Sequence, residues 1–176
     1  MRLLVMIFAL SMTAVNTQAA QTLFQFKKSL NPKNVLNYSV EMSSNCSLLQ
    51  VGGSYIEPFW IMGESDGHRE GLTNKEKKIF TPLVSYINSA KTELDFNVAA
   101  VDLVKKQIPH PEITVRTNLG KTCSAKAFMQ IDNEEIELSE IFISGSITWS
   151  LDWKTDYLII SGKKADGTSF KKKIVP

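Results

Sequence analysis

Apolar residues recur at every second position through most of this chain, and that period belongs to β-strands. In TCSAKAFMQI it places Cys123, Ala125, Ala127, Met129 and Ile131 on one face. NVLNYSVEM gathers Leu36, Tyr38, Val40 and Met42, and ELDFNVAAV gathers Leu94, Phe96, Val98 and Ala100. EITVRTN adds Ile113 and Val115, and TLFQFKK sets Leu23 against Phe24 and Phe26. EPFWIM is apolar on both faces and reads as a covered, central strand. Turns fall at Leu119–Lys121 and at Asp132-Asn133, and Asp166-Gly167 between two β-rich runs is a hairpin signal. One segment breaks the period. LTNKEKKIFTPLVSYINS spaces Ile79, Phe80, Leu83, Val84 and Ile87 at helical intervals, behind a capping box at Thr73 and Glu76. Pro82 predicts a kink there, or two short helices. The expected fold is a mainly β domain over residues 20–176: an antiparallel barrel or sandwich of about eight strands, with one helical insertion after the third strand.

The N-terminus reads differently. Met1 and Arg2 precede an uninterrupted apolar run, Leu3 to Met12, and small residues stand at Thr17 and Ala19. The run is shorter than the ~20 residues that span a bilayer. It reads as an export signal over residues 1–19, cleaved near Ala19, which predicts a periplasmic or secreted protein. No segment in the remaining chain reads as transmembrane. Cys46 and Cys123 are the only cysteines, and an exported location favours a disulfide between them over two buried thiols. Twenty Lys+Arg face 18 Asp+Glu, and the arginines are only Arg2, Arg69 and Arg116. Nucleic-acid readers carry a clear basic excess and lean on arginine, so nucleic acid is set aside. Lysine clusters at 75–78, 105–106, 163–164 and 171–173 suit the protection of sheet edges; their functional counterpart is a weak association with an anionic surface.

Catalytic and metal signatures are sparse. His68 and His110 are far apart and neither has a spaced ligand partner, so no metal and no cofactor is expected. No Ser or Cys stands in a nucleophile-elbow context. The polar connection GESDGHREG holds Glu64, Asp66, His68, Arg69 and Glu70, and paired carboxylates there could do acid–base work. Solvation is the plainer reading for such a short connection. Trp149 and Trp153, beside Asp152 and Asp156, could line a barrel mouth, and Trp60 precedes the polar connection. The candidate binding residues are therefore Trp60, Asp66, His68, Arg69, Glu70, Trp149 and Trp153.

Three segments resemble a known family. LFQFKKSLNPKNVLNYSV has its aromatic strand, Lys-Ser, Asn-Pro and Val-rich strand. PFWIMGESDGHREGLTNKEKKIF resembles its aromatic-Trp-Ile strand followed by Gly, Arg-Glu-x-Leu and a helix. ELSEIFISG and YLIISGKKADGTSFKKKIVP are similar to its closing strands. The family is a bacterial exported one catalogued as domain of unknown function 4833, and the likeness runs over nearly the whole chain after the signal. It implies a bacterial source and an envelope location, and it brings no catalytic residues. The functional expectation is a non-enzymatic binding domain of the envelope, holding a small apolar ligand or a partner at a barrel rim. The alternatives are an envelope hydrolase using the Glu64–Glu70 loop, and a structural or accessory domain without a small-molecule site.

Overall fold

The computed structural model describes residues 19–30, 32–63, 67–102, 111–147 and 153–175. The segment expected to be an export signal, residues 1–19, lies outside the described residues apart from Ala19. Eleven strands form one curled, mixed sheet, a half-barrel: β1 (Gln21–Lys28), β2 (Val35–Val40), β3 (Glu57–Ile61), β4 (Arg69–Glu70), β5 (Leu83–Ile87), β6 (Glu93–Asn97), β7 (Ile113–Leu119), β8 (Cys123–Ile131), β9 (Glu134–Ile147), β10 (Trp153–Lys163) and β11 (Ser169–Ile174). Helix α1 (Asn74–Phe80) joins β4 to β5, and a single turn, α2 (Ala99–Asp102), follows β6.

The sheet path runs β4-β3-β2-β1-β9-β8-β7-β6-β5. Strand β9 organises it. One edge of β9 is taken along its length by β10, which carries β11. The other edge is shared. Its first residues pair antiparallel with β8, and Glu140–Ile143 pair parallel with Gln25–Lys28 of β1. Two wings, β4-β3-β2-β1 and β8-β7-β6-β5, therefore diverge from one strand and close on each other. Where they part, the Gln21 side chain replaces a missing ladder rung: its Nε2 donates to Ala125 O (2.8 Å) and its Oε1 accepts from Ala125 N (2.9 Å). A bulge at Ser139 shifts the buried set of β9 from Ile136 and Leu138 to Ile141 and Ile143. Gly162 opposes the bulge. A methyl there would stand 2.2 Å from Glu137 O, so only glycine permits the approach.

The interior is filled by side chains. Phe24 stacks on Tyr38 (4.7 Å), and both reach Phe96 of the opposite wing (6.3 and 6.4 Å). The inward faces expected of β2, β6, β7 and β8 are all buried. At one end, the loop 41–56 inserts Met42, Cys46, Leu48 and Ile56 as a plug. The Cys46–Cys123 disulfide ties that plug to the start of β8 across 77 residues. At the other end, α1 connects the two terminal strands of the path, and Tyr38 Oη donates to Phe80 O (2.7 Å).

Several expectations are corrected. The described residues form eleven strands rather than about eight, and the β1–β9 pair is parallel, so the sheet is not purely antiparallel. The helix follows β4, because Arg69–Glu70 adds a two-residue strand to β3. The helical run also ends at Phe80: Thr81 is extended ahead of Pro82, and Leu83–Ile87 are a strand pairing with β6. Strand β3 is not a covered centre. Its neighbour β4 is minimal, and the outer face of Phe59 is covered by the Arg69 guanidinium at 3.7 Å rather than by a second layer.

Candidate functional site

Period two places Lys28 on the same face as Phe24 and Phe26, so the last residue of β1 carries a lysine inward where two phenylalanines precede it. Its ammonium lies 4.4 Å from the Trp60 ring centre and 4.8 Å from that of Phe80, two rings that meet edge-on at 6.2 Å. A carboxylate completes the group, with Glu76 Oε1 3.5 Å from Lys28 Nζ. Glu76 is the third residue of α1. It accepts from the Thr73 backbone N–H (3.0 Å) and hydroxyl (2.8 Å), while its own N–H bonds Thr73 Oγ1 (3.3 Å). The capping box that starts α1 thus also fixes the carboxylate against Lys28.

Two clefts flank this pair and share it. One, of about 230 Å³, is lined by Lys28, Asn34, Trp60, Met62, Glu70 and Thr73, with Gly71 and Glu76. The other, about 120 Å³, is apolar in its walls: Ile79, Phe80, Ala100 and Ile143, with the stems of Lys28 and Lys75. Asn34 is buried, and its Oδ1 accepts from Gly63 N–H (3.2 Å), which leaves the Nδ2 donor for the cleft it lines. Gly63 is required at that contact, since a methyl would stand 2.3 Å from Lys33 O.

The electrostatics are unequal. Burial pulls the Lys28 ammonium below the usual lysine range, more than the charge and hydrogen bond of Glu76 raise it. Burial also works against the Glu76 carboxylate. There the Thr73 hydrogen bonds, the Lys28 charge and the Trp60 indole together win and hold it below the usual range. Lys28 is thus held at a net desolvation cost, while the surroundings of Glu76 favour its charged form.

Of the residues singled out in the sequence, Trp60 and Glu70 meet here, opposite each other in the β3–β4 register. His68 Nε2 lies 2.6 Å from Glu70 Oε1 at the exposed margin. Arg69 turns away to Phe59 and to an ion pair with Glu57. His68 and Glu70 therefore meet at the margin of the cleft, while Arg69 is directed to the other side of β3. Glu64, Asp66, His110 and Trp149 lie outside the described residues. Trp153 is placed only by its backbone, paired with Ile147. Sequence reasoning missed Lys28 and Asn34, and saw Glu76 only as a cap. The available signal was a lysine at an inward position of an aromatic strand.

Residues 24–173 match the family model described as Domain of unknown function (DUF4833). The chain belongs to this family. No curated protein and no solved structure matches it. In this DUF4833 chain, two of the segments that resemble the family, FQFKKSLNPKN and FWIMG with REGL, supply Lys28, Asn34, Trp60, Met62 and Glu70 to one cleft. Among the described residues of the DUF4833 domain, no group of three or more His, Cys, Asp or Glu side chains is arranged to hold a metal.

Proposed function

We propose that this protein is an exported, non-enzymatic binding domain of the cell envelope, periplasmic or secreted after loss of residues 1–19. Its binding site is the Lys28–Trp60–Glu76 cleft at the rim of the half-barrel. The observation that carries the reading is a lysine ammonium held against its own desolvation between two clefts, one polar and one apolar. A group kept at such a cost is better explained by what it binds than by stability. The ligand class is a small amphipathic molecule, or an equivalent segment of a partner. Its apolar end enters the Ile79–Ala100–Ile143 groove, and its polar end meets Lys28, Asn34 and Glu70. The two clefts together reach the lower end of small-molecule pockets. The expected apolar ligand thus sits at the rim, since aromatic rings occupy the space between the wings.

The test is a titration of the mature protein with octyl glucoside below its micellar concentration, followed by amide NMR shifts and Trp60 fluorescence. Shifts should cluster at Lys28, Trp60, Glu76, Ile79 and Ala100. Ile79→Lys, which puts a charge into the apolar groove at an already exposed position, should abolish them. Shifts scattered over the surface, or unchanged by Ile79→Lys, would refute the assignment.

A further inference from the structure

The structure sorts the five lysines between Lys163 and Lys173 on the terminal hairpin β10–β11. Lys164 pairs with Glu134 (2.7 Å) and Lys172 with Asp132 (2.5 Å). Lys163 and Lys171 make no ion pair among the described residues, and Lys173 has only the Tyr157 ring, at 3.9 Å. Register puts these three on one face. Leu158, Ile160 and Ile174 are buried, so Lys163, Ser161 and Ile159 of β10 face outward with Ser169, Lys171 and Lys173 of β11. They form a checkerboard in which Lys163 opposes Ser169 and Ser161 opposes Lys171.

This face is not flat. The Ser139 bulge and the divergence of β1 from β9 leave a concavity of about 630 Å³. Thr22, Gln25, Ser139, Ser161 and Ser169 line it, together with Lys163 and Lys171. Its one acidic side chain, Glu137, is already paired with Lys126 (2.7 Å). Edge protection explains lysines on β11, which is an edge strand. It does not explain Lys163, because β10 lies between β9 and β11.

We propose that this concavity is a second binding site, separate from the rim cleft, and that it takes a phosphorylated carbohydrate. Two unpaired ammonium groups suit a phosphate, as point charges with several donors each. The Thr22, Ser161 and Ser169 hydroxyls suit the sugar's hydroxyl groups, and Gln25 and Ser139 offer acceptor oxygens while they donate to Asn37 Oδ1 (3.0 Å) and Ser161 O (3.0 Å). A concave, hydroxyl-lined surface fits a discrete group better than a bilayer, which is met by protruding apolar side chains.

Glucose 6-phosphate is the probe, with glucose and phosphatidylglycerol vesicles as the other arms, all at low and high salt. Glucose 6-phosphate should shift the amides of Ser161, Lys163, Ser169 and Lys171, and high salt should weaken it. Lys163→Glu with Lys171→Glu should weaken binding at least about tenfold, the scale of one lost charge-assisted contact. Lys75→Glu, at the rim cleft, should leave it unchanged. Absence of these shifts, equal shifts with glucose, equal binding by the double variant, or binding to vesicles alone would each overturn the proposal.

Discussion

Replacing both cysteines by alanine tests whether the end plug is held covalently or by packing alone. The Cys46–Cys123 bond closes a loop with a sequence separation of 77. In the chain-entropy treatment a loop of that length contributes about 4.5 kcal/mol at 25 °C through the unfolded chain. Cys46 lies at φ 62°, and alanine meets the same left-handed backbone there, so the substitution adds no new conformational cost. For a chain of this size each kcal/mol moves the midpoint by about 2–4 °C, so the double variant should melt about 9–18 °C below wild type. Calorimetry or circular dichroism under oxidising conditions measures this, and reductant should bring wild type down to the variant. The rim cleft lies at the other end of the β1–β2–β3 wing, so the octyl glucoside shifts of the folded variant should persist. A loss below about 1 kcal/mol would show that Met42, Leu48 and Ile56 hold the plug by burial. Two titratable thiols in oxidised wild type would remove the bond itself.

Further predictions concern the cleft and the bulge. Lys28→Met should leave urea stability within about 1 kcal/mol of wild type, because the lost attraction is matched by relief of desolvation and methionine packs well on rings. A loss above about 3 kcal/mol would make the lysine structural. Glu76→Gln should cost about 1 kcal/mol at pH 7 through the weakened capping box. The Glu76 carboxylate titrates below its ordinary range when folded, so its contribution is present above that range and is lost as pH falls through the folded value. Urea melts between neutral and acid pH should therefore show a shallower acid loss for the variant; an equal slope would contradict the assignment. Gly162→Ala drives a methyl into Glu137 O and should cost about 1–3 kcal/mol, with protection of the β9–β10 amides lost first on hydrogen exchange.

Much of the β architecture was legible because burial follows parity. Leu36, Tyr38 and Val40, and the five residues from Cys123 to Ile131, lie inward as their alternation requires. The same rule carried information that is easily read over. Ile136 and Leu138 give way to Ile141 and Ile143, and that change of parity is the Ser139 bulge. Lys28 falls inward by the same alternation. The segment after Phe80 misleads because Val84 and Ile87 satisfy a helical interval and also lie on the rim of a bulged strand, and only Pro82 separates the two readings. The parallel pairing of β1 with β9 leaves no local trace. It depends on residues more than 110 positions apart that become neighbours only when both wings form. Asn34 stands two residues after Pro32 with no local mark of a site, and its place in the cleft comes from the close approach of Gly63.

That same pairing sets the order in which the chain can fold. Strand β1 has a local partner in β2, but its second neighbour is Glu140–Ile143, and the second wing depends on Glu134–Glu137 for its attachment. Neither wing can bury its aromatic residues against the other until β9 exists, and β9 is held on its far edge by β10 and β11. Closing these long-range contacts before they yield stability makes folding slow. A chain emerging from its N-terminus can pair β1 with β2 and β5 through β8 locally, yet its two wings stay open toward each other until nearly the last strand is available.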